Sequence, residues 1–266
     1  MEKPKNRSRF RTTLGTPYHL IKKYFYWHFS GTNFTSRQSD SVFPELIYSH
    51  QTPLLRRLKE VDMQWQHNKI TNLKLAIKKI NHLIIEPGQT FSFWRQIGCP
   101  SARQGYLEGM ILQDGKIKQA IGGGLCQLSN LLFWITAHTP LTIIERWRHD
   151  YDVFPDCQRS QPFGSGATCC YPNIDLQIKN NTSQIFQLIL NVGTNDLVGE
   201  WRSNQPAVNH YRIIEKNHLI ISEWWGGYTR NNQLYRQVID PVTGTVFREE
   251  FLVDNHAVMM YNPLLK

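Results

Sequence analysis

No stretch of this 266-residue sequence approaches the roughly 20 consecutive apolar residues that a transmembrane helix needs. Nor is its basic start followed by the apolar run of roughly 7–15 residues that a secretory signal carries. At face value the chain is expected in the cytoplasm or on the inner membrane surface. Paired zinc spacing is missing too: Cys99, Cys126, Cys157, Cys169 and Cys170 form an odd set without a CxxC, so no metal is expected. The adjacent Cys169 and Cys170 cannot easily reach disulfide geometry, which leaves a reduced set of thiols as the simplest reading. Acidic residues are outnumbered, 21 against 30 basic ones. Among the first thirty residues only Glu2 opposes Lys3, Lys5, Arg7, Arg9, Arg11, Lys22 and Lys23. Such a segment is either a solvated tail or a surface for polyanions, and its mixing of rings with basic residues from Tyr18 to Phe29 fits an anionic membrane surface. Nucleic acid is the less favoured partner.

What is present is globular. Hydrophobic residues make up 41% and charged residues 19%, the balance of a chain that buries a core rather than a disordered one. After the basic segment (residues 1–40), helical spacing begins at Asn72 with Leu73, Ile77, Ile80 and Leu83–Ile84, and Pro87–Gly88 ends it. The alternation of Phe91, Phe93 and Ile97 predicts an extended segment. Gly105, Gly109 and Gly115 mark a loop and hairpin, with Asp114–Gly115 as the turn. The run LCQLSNLLFWITAHTP repeats Leu128, Leu131, Leu132 and Ile135 at helical spacing and stops at Pro140. LTIIERWRH then reads as a strand that delivers Glu145, Arg146 and His149. The last third is a series of short strand-like runs with turns expected at Asn180–Asn181 and Thr243–Gly244. These signals predict an α+β fold: a mixed helical and antiparallel β core (41–205) followed by a β-rich extension (206–266).

The segment Gly122–Ser129, GGGLCQLS, concentrates the chemistry. Three glycines allow unusual backbone conformations and close approach of a ligand. Cys126 falls in the first turn of the expected helix, where free N–H groups and the helix dipole lower a thiol pKa and can stabilise an oxyanion. A cysteine nucleophile needs a base, and His149, at the end of the return strand, is the candidate. His138 lies at the far end of the helix, about 18 Å away at roughly 1.5 Å per residue. Asp150, Asp152, Asp156 and Asp175 are the acids available to orient His149. Gly122, Gly123, Gly124, Gln127 and Ser129 are candidate substrate contacts. Glu145 and Arg146 either pair with each other or hold a charged substrate group. The opposing reading is a small buried cysteine at a tight helix–sheet contact. No Gly-Lys-Ser/Thr follows the glycines, so a nucleotide site is not expected, and no cofactor is predicted.

These segments also carry a resemblance. PGQTFSFWRQIG (Pro87–Gly98), the Gly105–Tyr106–Gly109 spacing, IGGGLCQLSNLLF (Ile121–Phe133), ERWRHDYDVFP (Glu145–Pro155) and ATCCYPNIDLQIKNNT (Ala167–Thr182) resemble, in this order, the VanW-like family over roughly residues 70–200. The family takes its name from an accessory protein of vancomycin-resistance clusters. The resemblance implies a role in peptidoglycan metabolism and glycopeptide resistance, with a peptidoglycan peptide or precursor as partner. Some multidomain, cell-surface relatives look like L,D-transpeptidases that use the motif cysteine, which by position implies Cys126 as nucleophile. Wall transpeptidation lies outside the cytoplasmic membrane, so this implication and the missing export signal pull in opposite directions. A non-catalytic binding module for a cell-wall precursor, or a membrane-peripheral accessory protein, is the competing expectation.

Overall fold

LCQLSNLLFWITA is apolar around nearly its whole circumference, which suits a helix enclosed by protein rather than one lying on a surface. It forms α4 (Cys126–Ala137) in the computed structural model, which describes residues 9–55, 62–113, 115–154 and 161–264. From Leu128 to Ala137 every residue of α4 except Asn130 is buried. The helix lies against an antiparallel sheet ordered β1 (Glu45–Pro53), β10 (Asp196–Ser203), β9 (Phe186–Val192) and β2 (Ile84–Ile85). Gly199 on β10 makes room for it, since a Cβ there would sit 3.0 Å from Leu131. Trp201, also on β10 and fully buried, donates its indole N–H to Thr136 Oγ1 at 3.0 Å.

Helix α2 (Met63–Ile80) begins well before the expected Asn72, because Asp62 caps it by accepting from Gln64 N at 2.8 Å. It also stops earlier. His82 takes a left-handed φ of 62° and turns Leu83 and Ile84 out of the helix into β2. The extended segment expected at Phe91–Ile97 is split into strand β3 (Thr90–Ser92) and a short helix, α3 (Phe93–Ile97), with Ser92 Oγ accepting from Arg95 N at 3.3 Å. Phe91, Phe93 and Ile97 are buried in either geometry, which is why their alternation misled. β3, β8 (Gln177–Lys179) and β6 (Thr142–Glu145) form a second sheet, in the order β3-β8-β6. Because β8 pairs there while β9 pairs in the first sheet, Asn180–Asn181 is a crossing between sheets and not the hairpin turn expected. Asn180 is buried at that crossing and donates to Ile85 O and Gln184 O at 3.0 and 2.7 Å.

β4 (Glu108–Gln113) and β5 (Lys116–Ile121) form the predicted hairpin, with Gly115 at a φ of 72°. β11 (His210–Ser222), β12 (Tyr228–Ile239) and β13 (Val246–Met259) make a long antiparallel sheet, to which β7 (Tyr151–Asp152) adds in parallel beside β13. The Thr243–Gly244 turn joins β12 to β13 as expected, while HYRIIE and HLIISEW merge into the single strand β11. The fold is α+β with antiparallel sheets and a β-rich C-terminal region. The basic N-terminal segment is not an irregular tail throughout: Arg9–Phe29 is helix α1, and its Lys23 and Trp27 are buried. No helix among the described residues is long and apolar enough to cross a membrane.

Candidate functional site

Cys126 is the first residue of α4, as its spacing predicted. The electrostatics differ from expectation. Gln127 N bonds to Gly124 O at 3.1 Å and Leu128 N to Leu125 O at 3.0 Å, so a tight turn consumes donors that an open helix start would offer. The residue is only part-buried, yet the protein crowds its sulfur, and this burial pushes the thiol pKa up rather than down. Hydrogen bonds from the thiol to the Cys169 carbonyl (3.6 Å) and with its own backbone oppose the shift, and the neighbouring Cys170 adds to it. Cys99, Cys126, Cys169 and Cys170 are all free thiols, and Cys157 lies outside the described residues.

The glycines serve the chain's own close approaches. A Cβ on Gly123 would lie 2.1 Å from the Gly109 carbonyl carbon, one on Gly122 2.6 Å from Pro100, and one on Gly124 2.3 Å from the Lys69 side chain. Gly122 and Gly124 also have φ of 76° and 90°. Asn72 of α2 fastens this contact by donating to Leu107 O and Gly123 O, both at 2.9 Å, and accepting from Leu107 N at 2.8 Å. Gln127 is spent on β1, donating to Thr52 Oγ1 and Pro53 O at 3.0 and 2.9 Å. Ser129, fully buried, donates to Ala167 O at 2.6 Å. Arg146 donates to Gly166 O and Gly164 O at 2.9 and 2.7 Å, and burial lowers its pKa to about 10. These side chains hold the segment in place.

His149 follows β6 in the irregular run after Glu145 and is part-buried. Burial and then the charge of Arg148 lower its pKa, opposed by Asp150. No hydrogen bond joins it to Cys126 among the described residues. Of the aspartates proposed to orient it, Asp150 is the one whose charge acts on it. Asp152 is held by Tyr261 at 3.0 Å and Arg230 at 3.6 Å, Asp175 is engaged elsewhere, and Asp156 lies outside the described residues. His138 is structural: it stacks on Tyr48 with centroids 4.0 Å apart and bonds Trp134 O through Nδ1 at 2.9 Å, and burial lowers its pKa to about 4.

Beside Cys169 lies a polar cluster that the sequence reading missed. Lys23 of α1 reaches Glu145 at 3.0 Å and Asp175 at 3.4 Å. Glu145 thus pairs with Lys23 and not with Arg146, and it also accepts from Gln177 and Trp147, at 2.6 and 3.0 Å. Asp175 accepts from Ser92 Oγ at 2.6 Å and Trp94 N at 3.0 Å. Burial raises its pKa, and Lys23 is the chief opposing influence. The charges of Glu145 and Asp175 act on the Cys169 thiol, linking the cluster to the neighbour of Cys126. Tyr24, Trp27, Trp94, Arg95 and Tyr171 wall a cleft of about 320 Å³. Lys23 was hidden because a lysine in a basic run reads as solvated until its acids, more than a hundred residues away in sequence, are brought beside it. No group of three or more His, Cys, Asp or Glu among the described residues is placed to hold a metal ion.

The α+β scaffold thus sets Cys126 at a helix start in a glycine-packed turn, with Cys169 between it and the lysine–carboxylate cluster. Residues 68–202 match the family described as VanW like protein. The chain is 32% identical over 233 residues to vancomycin B-type resistance protein VanW of Enterococcus faecalis, covering 88% of this chain and 84% of that one. It is 26% identical over 172 residues to the uncharacterized protein YoaR of Bacillus subtilis, covering 62% of this chain and 54% of that one. The chain belongs to the VanW-like family. No solved structure matches it significantly.

Proposed function

We propose that this VanW-like protein acts in glycopeptide resistance as a cysteine-dependent acyltransferase on peptidoglycan peptides, of the L,D-transpeptidase type, with Cys126 as nucleophile and His149 as base. The observation that carries the reading is the place of Cys126: it is the first residue of α4, part-exposed as a residue, with its thiol bonded to the Cys169 carbonyl at 3.6 Å. His149, its pKa lowered by burial, is neutral at neutral pH, as a general base must be. In the reaction His149 takes the thiol proton and the sulfur bonds to the donor peptide's carbonyl carbon. The departing amine takes that proton, leaving a thioester; an acceptor amine then attacks the thioester, gives its proton through His149 to the departing sulfur, and forms the new amide as Cys126 is released as the thiol. The resistance role named for the Enterococcus faecalis relative supports the choice of substrate class.

The test supplies purified muropeptides to the wild type, Cys126→Ala and His149→Gln. Transfer or hydrolysis products should form with the wild type only, and equal product with Cys126→Ala ends the nucleophile assignment.

A second reading, a non-catalytic module that binds a cell-wall precursor in the aromatic cleft, is favoured by the raised Cys126 pKa and by the missing bond to His149. It expects saturable muropeptide binding that survives Cys126→Ser, loss of binding on Trp94→Ala, and no product from any variant.

A further inference from the structure

Helix α1 has two apolar faces, and protein covers one of them. Trp27 is buried, Lys23 reaches Glu145 and Asp175, and Tyr26 donates to Gln177 Oε1 at 3.1 Å. On the other side Tyr18, Ile21, Phe25 and Phe29 are each 62–71% exposed. At about 100° per residue these four fall within an arc of about 80°, so they form one continuous stripe. The Phe25 and Phe29 rings pack together with centroids 4.8 Å apart, which makes the stripe an apolar ridge. Lys22 and His28, both exposed, flank it on its two sides. Not one acidic residue occurs from Lys3 to Ser39.

We infer that the outer face of α1 is a docking surface for an anionic lipid bilayer. The charge selects the partner. A soluble protein partner would need only the apolar ridge, whereas a ridge rich in aromatic rings, flanked by exposed Lys22 in a sequence segment without acids, matches negative headgroups above an acyl boundary. Rings such as Tyr18 and Phe25 are of the kind that enter the interfacial layer, and the basic flanks remain in the headgroup plane. The buried face stays seated on the core throughout, so docking requires no unfolding of the helix. Tyr24 and Trp27 belong to the same helix and also wall the cleft, so docking holds the cleft at the lipid surface.

The experiment is co-sedimentation of the full-length chain with vesicles of phosphatidylcholine alone or with about one-third phosphatidylglycerol, at low and high salt. Binding should be confined to the anionic vesicles and weaken at least tenfold at high salt. An Ile21→Glu/Phe25→Glu variant should lose it while keeping the wild-type melting temperature, because both side chains are exposed. Lys22→Glu should weaken it. Absence of wild-type binding, equal binding to both lipid compositions, or unchanged binding by the double variant overturns the inference. So does a concentration-dependent dimer abolished by the double variant, since a second copy of the chain would then be the occupant. None of these outcomes depends on the chemistry of Cys126.

Discussion

The thiol of Cys126 is governed by two opposed effects, and their balance can be measured. The helix start favours the anion within the first turn, whereas packing around the sulfur favours the neutral thiol, and packing wins. Alkylation of Cys126 by iodoacetamide, followed in a variant whose other cysteines are serine, should keep accelerating above pH 9 instead of reaching a plateau near neutrality. A plateau below pH 8 would reverse the balance. His138 supplies a second titration. Its folded pKa of about 4 lies below the ordinary 6.5, so the unfolded chain binds a proton that the fold refuses. This histidine therefore costs nothing above pH 7, begins to destabilise as pH falls through 6.5, and reaches its full cost of about 3 kcal/mol below pH 4. From pH 7 to pH 4.5 the denaturant midpoint of wild type should fall relative to that of His138→Gln. A constant difference would contradict the assignment. Local sequence placed Cys126 in the first turn of the helix and set His138 aside by helix length alone. It could not weigh burial, which depends on Cys169 and Cys170 arriving from a distant segment.

Among elements, the meeting of β4 with the glycine turn controls the position of α4. Gly109 and Gly123 leave no space for a side chain on either partner, so Gly123→Ala must push two backbones apart. Overpacking of this kind costs about 1–3 kcal/mol, and unfolding in urea should show it. The Gly109→Ala/Gly123→Ala double variant should be less destabilised than the sum of its singles, because one displacement relieves both clashes. Asn72→Ala removes the clamp from the same contact and leaves buried groups unpaired, at a cost of about 1–3 kcal/mol. Sequence periodicity found α4 and the β4–β5 hairpin because their apolar pattern or turn residues are local. It placed the start of α2 late, because the first turns of that helix carry polar residues and the signal there is the Asp62 cap. It read α3 as extended because a five-residue helix is too short to show a helical period, while Phe91, Phe93 and Ile97 fall at the even spacings of a strand.

At the scale of the molecule, the C-terminal sheet is stitched to the VanW-like region rather than appended to it. Arg236 of β12 donates to Leu141 O at 3.1 Å and to Thr139 O just past α4, and it pairs with Glu250. Asn232 donates to Phe163 O at 2.6 Å, and β7 runs beside β13. Arg236→Ala should thus lower the stability of the whole chain in one transition, read by tryptophan fluorescence, rather than loosen the last sixty residues alone. The pairing partners of this sheet lie far apart in sequence, so its strands were legible and its docking was not. The same long-range assembly joins Lys23 to Glu145 and Asp175, the two acids whose charges act on Cys169, the neighbour of the cysteine for which an acyl-transfer reaction is proposed. The direct test of that reaction is the covalent intermediate. Wild-type protein mixed with muropeptide and quenched in acid within the first turnover should carry, by intact mass and peptide mapping, an acyl group on Cys126. That adduct should be absent from Cys126→Ala and should accumulate when no acceptor amine is supplied. Product formation with an unmodified Cys126 at every time point would contradict the mechanism.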